Sequence, residues 1–303
     1  LTGAGKRIRA YAAALKGRLT GTRRVEHPQI EAPIDPPIDP PIDPPVDRPV
    51  DPWIHSHVVE APNRSAAFYG DLLRDAKVLN VGCGEMLMDF GLLNYGPASI
   101  MGLDIDDNPD GWLERVAAKI AAQGMDLPGD YAERLSYTCY GGTEFPFADA
   151  AFDFIFSWSA FEHIPDMDAV LREMYRVLRP GGHAFVQVSP WHDSRLGSHL
   201  TEYIDQPFFH HVKDNVWVEA QLREAAERYP AEQRAFITEY MYKAYQTLNR
   251  KSCDDFYDAA RGAGFAIIKA RIGARDEDLS LAPAGVAFHD LMIDETMMLM
   301  HKG

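Results

Sequence analysis

Between residues 77 and 189, short apolar runs alternate with segments of helical period. Lys77-Val78-Leu79-Asn80-Val81 reads as a buried strand, and Ile100-Met101-Gly102-Leu103 as a second that ends on Asp104. Leu135 to Tyr140, Phe152 to Phe156 and His183 to Val188 read as the third, fourth and fifth. Residues 86–94, a stretch from Asn108-Pro109 to about Gln123, and Asp166 to Leu178 carry helical spacing, and Arg179-Pro180-Gly181-Gly182 halts the last of them. Pro109 suits a first helical turn. Strands alternating with helices predict a parallel α/β sheet. Beyond it, residues 214–228 and 231–248 look helical, Asp255 to Gly262 reads as a further helix, and Phe265 to Ile272 as a sixth strand.

In such sheets the ligand sits outside the C-terminal ends of the strands. Gly82-Cys83-Gly84 follows the first strand directly, and glycine there lets backbone approach a ligand closely. Asp104 ends the second strand 22 residues after Gly82, which places a carboxylate where a ribose diol donates hydrogen bonds. A nicotinamide dinucleotide wants G-x-G-x-x-G, with pyrophosphate on the helix start. Here Gly84 is followed by Glu85, Met86 and Leu87, so the third glycine is missing and Glu85 puts negative charge where phosphates would lie. The pattern asks for a nucleoside without phosphates, and a sulfonium nucleoside fits.

Those segments carry a resemblance. Residues 77–189 resemble the class I S-adenosylmethionine-dependent methyltransferases, in the broad group called methyltransferase type 11. The matching pieces are Val78 to Gly84, Gly102-Leu103-Asp104-Ile105, Phe145-Pro146-Phe147 with Phe152-Asp153, Phe161-Glu162-His163-Ile164-Pro165, and Arg176 to Gly182. The resemblance implies a Rossmann-like mixed sheet of seven strands closed by an antiparallel hairpin, with S-adenosylmethionine as cofactor and S-adenosylhomocysteine as product. It implies that Gly82, Cys83 and Gly84 line the methionine part, with Asn80 near its amine where the family usually has an acid. Asp104 would hold the ribose and Ile105 flank the adenine, framed by Thr143 and Glu144. Ser157 and Trp158 would stand beside the methyl group's exit. Gly141 replaces an aspartate that commonly meets the adenine amino group, leaving Cys139, Gly142 or Thr143 to supply that contact.

After the fifth strand comes a long insertion, roughly residues 190–250, expected to form an α-helical lid that selects the acceptor. It holds His192, Asp193, His199, His210 and His211. Methyl transfer is an in-line displacement, and a hydroxyl acceptor also needs a base. Imidazole suits that task near neutral pH. His192 and His199 are the candidates, with Asp193 orienting one of them or acting as base. A divalent metal on the same cluster is a second possibility, but no metal-ligand spacing repeats, and none is predicted. Trp158, Trp191, Tyr203, Phe208 and Phe209 are candidates to wall the acceptor pocket or to serve as core.

Composition narrows the field. The chain has 303 residues, 46% hydrophobic and 25% charged, which is ordinary globular protein. Cys83, Cys139 and Cys253 form no CxxC pair, which excludes a zinc ribbon and a disulfide scaffold and suits a reducing cytoplasm. The net charge of −15 argues against nucleic acid as partner. Charge is unevenly spread. Seven basic residues and no acid fall within residues 1–25, which leaves −22 on the rest.

Three regions follow: a basic arm over 1–27, a proline-rich spacer over 28–52, and the methyltransferase domain over 53–303. Ile8, Tyr11, Ala12, Leu15 and Leu19 recur at helical spacing, so the arm reads as an amphipathic helix for an anionic membrane face, an acidic partner or its own body. Opening on Leu1 rather than methionine, the chain is expected to be processed or trimmed. Ile34-Asp35-Pro36-Pro37 begins a four-residue repeat that continues to Pro52, and proline restricts both itself and its predecessor to extended backbone. A polyproline II rod reaching roughly 55 Å results. Such a spacer, carrying a helix, would build a homo-oligomer or reach a membrane surface. The function expected is O-methylation of a small molecule or saccharide. The alternatives are N- or C-methylation of a metabolite, or a catalytically silent fold acting as a binding or assembly subunit.

Overall fold

The computed structural model describes residues 50–108, 110–275 and 278–303. The arm and residues 28–49 of the spacer lie outside the described residues, as does Pro109. Where the description starts, Asp51 accepts hydrogen bonds from the backbone of Trp53 (2.9 Å) and Ile54 (3.4 Å) and caps a helical run that begins at Pro52. That run continues to Tyr69 through a π turn at Ser56–Glu60.

Seven strands form one sheet: β1 (Lys77–Val81), β2 (Ser99–Asp104), β3 (Leu135–Cys139), β4 (Phe152–Trp158), β5 (Leu178–Val188), β6 (Ala266–Ala274) and β7 (Ile293–His301). Their order is β3-β2-β1-β4-β5-β7-β6. The first five strands are parallel, and β7 runs antiparallel to both β5 and β6. This is the mixed seven-stranded sheet with a closing hairpin that the sequence led us to expect. The order reverses at β1 and β4, so the ligand crevice opens above the ends of β1, β2 and β4.

β1 is buried along four of its five residues because helices cover both faces of the sheet. On one face lie the 52–69 run and the helices Leu87–Leu92 and Trp112–Ala121, packed on Val78, Ile100, Phe154 and Phe185. A Cβ on Gly91 would stand 2.2 Å from the carbonyl oxygen of Val58, so glycine is what lets those two helices cross closely. On the other face lie the helices Met167–Val177 and Cys253–Gly262. Met167, Val170, Leu171, Met174 and Val177 bury one stripe of the first, and Asp166 caps it by accepting from the Ala169 amide at 2.9 Å.

β5 starts at Leu178, five residues earlier than the sequence indicates, and a register shift opposite Phe152 and Phe154 absorbs the Pro180-Gly181-Gly182 turn. The helix expected from Asn108 begins at Trp112, after Gly111 in the left-handed region. Between β5 and the helix Cys253–Gly262, residues 200–248 build a small core of their own around Leu200, Phe209, Leu222 and Ile237. Asn249 ties the end of this insertion to the loop that follows β4. Its side chain donates to the carbonyls of Phe161 (2.6 Å) and Ile164 (2.9 Å), and its amide donates to that of Glu162. Among the described residues, no helix is long and apolar enough to cross a membrane.

Candidate active site

The glycine loop closes onto the end of β2. Gly82 (φ 72°) and Gly84 (φ 52°) both need the left-handed region, where glycine carries no Cβ penalty. The amides of Gly82 and Cys83 donate to the Leu103 carbonyl at 2.8 and 3.4 Å. The Gly84 amide donates to Asp104 Oδ2 at 2.8 Å, while Asp104 Oδ1 accepts from the amides of Ile105 (2.8 Å) and Asp106 (3.3 Å). Three backbone donors thus aim a half-buried carboxylate and leave Oδ2 a lone pair for a further donor. Ile105 beside it is 63% exposed, with its Cγ2 lying 3.8 Å from the place a Cβ on Gly142 would take. Nothing stands within 4 Å of a Cβ built on Gly84, so that side of the loop is open. An open loop, an aimed carboxylate and an exposed apolar shelf fit a nucleoside with a ribose diol.

The loop after β3 holds Thr143 and Glu144, both exposed. Arg176 braces the residues that follow it. Its guanidinium donates to the carbonyls of Phe147 (2.8 Å) and Phe145 (3.1 Å) and pairs with Asp149 and Glu173 at 2.7 Å each. Arg176 belongs to a sequence motif that gives no hint of this work, because all its partners but Glu173 lie about 30 residues away.

Two residues expected at the cofactor face inward. Ser157 is fully buried and donates its hydroxyl to the Val81 carbonyl at 2.8 Å, cross-linking β4 to β1. Asn80 is buried too, and its amide donates to both oxygens of Asp89 at 3.0 and 2.9 Å. A carboxyl thus lies next to position 80 after all, on Asp89 of the helix Leu87–Leu92, a residue the sequence did not single out. Burial pushes the Asp89 carboxyl up to about 7. Trp158 is half-buried, stacked near Phe185, with the Arg64 guanidinium 5.5 Å over its ring. Arg64 in turn holds both oxygens of Glu295.

Beyond the C-terminal ends of β4 and β5, the insertion and the loop after β4 bring the histidines together. His192, His210 and His211 form one group, and Glu162, His163 and His199 a second; in each, one ligand atom per residue lies within 4.8 Å of the others. Burial, then the imidazoles of His210 and His211, hold His192 down at about 3; burial, then His163, do the same to His199. Both rings are neutral at pH 7. Burial raises the Glu162 carboxyl to about 8 and also raises Asp193, which lies 3.7 Å from His211 Nε2. Trp191, Phe208 and Phe209 are core. A surface cavity of about 480 Å³ lies between Tyr203–Gln206 and the helix Asn215–Ala226; Tyr203 lines it, whereas none of the candidate catalytic or cofactor residues does.

Residues 79–186 match a family model described as a methyltransferase domain, and a second model with that description matches residues 141–245. Methyltransferase GfsG of Streptomyces halstedii is 34% identical over 112 residues, 37% of this chain and 37% of its own length. Sterol 24-C-methyltransferase erg6 of Aspergillus fumigatus is 31% identical over 35% of this chain and 26% of its own. The 27-O-demethylrifamycin SV methyltransferase of Amycolatopsis mediterranei is 31% identical over 36% of this chain and 40% of its own. The chain thus spans about a third of the length of the curated relatives it matches. The solved geranyl diphosphate C-methyltransferase of Streptomyces coelicolor A3(2), in complex with Mg2+, geranyl diphosphate and S-adenosyl-L-homocysteine, shares the fold. Its TM-score is 0.50 and its identity 9%, over 80% of this chain and 78% of that one.

The sheet and its glycine loop have the class I methyltransferase fold, and the methyltransferase-domain match falls on them. Within the class, residues 79–186 are a methyltransferase domain of the type 11 group, and S-adenosylmethionine is its cofactor.

Proposed function

We propose that the protein transfers a methyl group from S-adenosylmethionine to a hydroxyl oxygen of a small molecule or saccharide. The observation that carries this reading is the cluster of neutral imidazoles and carboxyls beyond the C-terminal ends of β4 and β5, on the rim where sheets of this kind hold ligands. The bound cofactor supplies a methyl carbon made electrophilic by positive sulfur. Asp104 would take a ribose hydroxyl on Oδ2, Ile105 would cover the adenine, and Gly82 to Gly84 would follow the methionine chain. The acceptor oxygen bonds to the methyl carbon, the carbon–sulfur electron pair stays on sulfur, and the oxygen's proton passes to His199 or Asp193. A neutral imidazole is the form that accepts a proton, but the burial that holds His199 down at about 3 weakens it as a base. The Asp193 carboxylate, raised by burial, is the better acceptor.

C-methylation is the second reading, favoured by the sterol 24-C-methyltransferase match. The matched stretch is about a third of the chain, and the family segment ends at residue 186, before the insertion begins. The second family model continues through residue 245, so the domain match includes most of the insertion. Incubation with methyl-labelled S-adenosylmethionine and a panel of polyhydroxylated acceptors, read by NMR, tests the proposal. Label on oxygen, lost in the His192→Ala/His199→Ala double variant, supports it; label on carbon or nitrogen that survives the double variant overturns it. A cytoplasmic setting and self-association through the N-terminal arm belong to the same proposal. Deleting residues 1–52 should leave turnover intact and abolish any oligomer.

A further inference from the structure

Three imidazoles converge from two segments of the insertion. His192 sits just after Trp191, whose indole donates to Thr296 at 3.1 Å and whose amide donates to the Asp294 carbonyl at 3.3 Å. The loop then turns back on itself. A Cβ on Gly197 would fall 1.9 Å from the His192 carbonyl oxygen, so that carbonyl is packed in place. His210 and His211 lie on the short helix Phe209–Val212, anchored by the fully buried Phe209. The ring centroids are 5.0 Å apart for His192 and His210, 5.2 Å for His192 and His211, and 4.4 Å for His210 and His211.

These rings leave buried lone pairs unmatched. His210 is 6% exposed, and its Nε2 lies 2.8 Å from the His192 carbonyl. A carbonyl only accepts, so Nε2 carries the proton and Nδ1 presents a lone pair. His210 Nδ1, His192 Nδ1 and His211 Nε2 are all buried, and none has a hydrogen-bond partner. Three buried orphans in one place need an explanation. One water donates only two hydrogen bonds, whereas one divalent cation accepts three lone pairs. The carbonyl behind His210 is the kind of outer partner that fixes a ligating imidazole's tautomer. Arg250 bears on all three rings, and Asp193, beside His211, supplies opposing charge.

We propose that His192, His210 and His211 bind one divalent transition-metal ion of the zinc class, with the Asp193 carboxylate beside it. All-imidazole donors suit zinc, iron, nickel or cobalt, and not magnesium or calcium. The second group is a poorer site: His199 Nε2 and Glu162 Oε2 are buried there without partners, but neither nitrogen of His163 is. A bound ion pins the loop after β5 to the Phe209–Val212 helix. His192 then serves as a ligand, and proton acceptance stays with His199 and Asp193. The site does not depend on the methyl-transfer reading.

Full-length, tag-free protein, stripped with a chelator and exchanged into chelator-free buffer, is titrated with Zn2+ alone and, separately, with Co2+ alone. The expected result is one ion per chain, a visible Co2+ spectrum of a four-coordinate nitrogen-ligated site, and a higher thermal midpoint with zinc. His210→Gln and His211→Gln should each weaken binding at least 100-fold, and His163→Gln should leave it within threefold. Circular dichroism checks each fold, and the half-buried His211 keeps the test sound if His210→Gln misfolds. Absence of saturable binding, or binding indifferent to both ligand substitutions, would overturn the proposal. Neither measurement requires an acceptor or S-adenosylmethionine, so methyl transfer stands or falls separately.

Discussion

Asn80 on β1 aims its side-chain nitrogen at both oxygens of Asp89, at 3.0 and 2.9 Å, and Asp89 is wholly shielded from solvent. Burial raises that carboxyl from the ordinary 3.8 to about 7. The folded protein therefore holds the proton more tightly than the unfolded chain does. This contribution to stability is full below about pH 4 and is lost as pH rises through 7, a swing of roughly 4 kcal/mol at most. Asp89→Asn removes the titration. Its urea midpoint should match the parent at pH 4 and exceed it at pH 8, and curves that run parallel across that range would rule the assignment out.

The two glycines of the loop should answer differently to alanine. At Gly82 a Cβ meets the Cβ of Ala160 at 2.3 Å, and φ is positive as well. Gly82→Ala should cost about 2–4 kcal/mol, from overpacking and left-handed strain together. At Gly84 the space is open and only the strain remains, so Gly84→Ala should cost about 1 kcal/mol. Denaturant unfolding of both variants checks this, and equal losses would contradict the packing described.

Arg176 should act on the site without touching it. Arg176→Gln removes the donors that hold the Phe145 and Phe147 carbonyls, and with them the loop that carries Thr143 and Glu144. We expect a stability loss of about 1–3 kcal/mol and a cofactor affinity lowered severalfold, read by calorimetry on the folded variant. Unchanged affinity would confine Arg176 to a structural part.

How far the sequence could be read depended on the range of the interactions. β1, β2 and β4 were legible because each is a continuous apolar run, and Asp104 because it ends one of them at a telling distance from Gly82. The extra length of β5 was not, since a Pro-Gly-Gly turn signals a break and only pairing with β4 absorbs it. Asp89 was hidden by its helix, where an acid nine residues from Asn80 looks like an ordinary polar position. The histidines were visible as a cluster but not as two groups. Which rings face one another depends on how residues 191–212 fold back on themselves and against His163 of the loop after β4, and no spacing rule encodes that.

Calorimetric titration with S-adenosylmethionine, with NAD and NADP as controls and Asp104→Ala alongside, tests the nucleoside site itself. Binding of the sulfonium cofactor alone is expected at micromolar concentrations, weakened about tenfold or more in the variant, the usual loss for a charge-assisted hydrogen bond. Equal affinity in parent and variant would contradict the placement of the ribose on Asp104. An absence of binding to the parent would contradict the methyltransferase reading of the site.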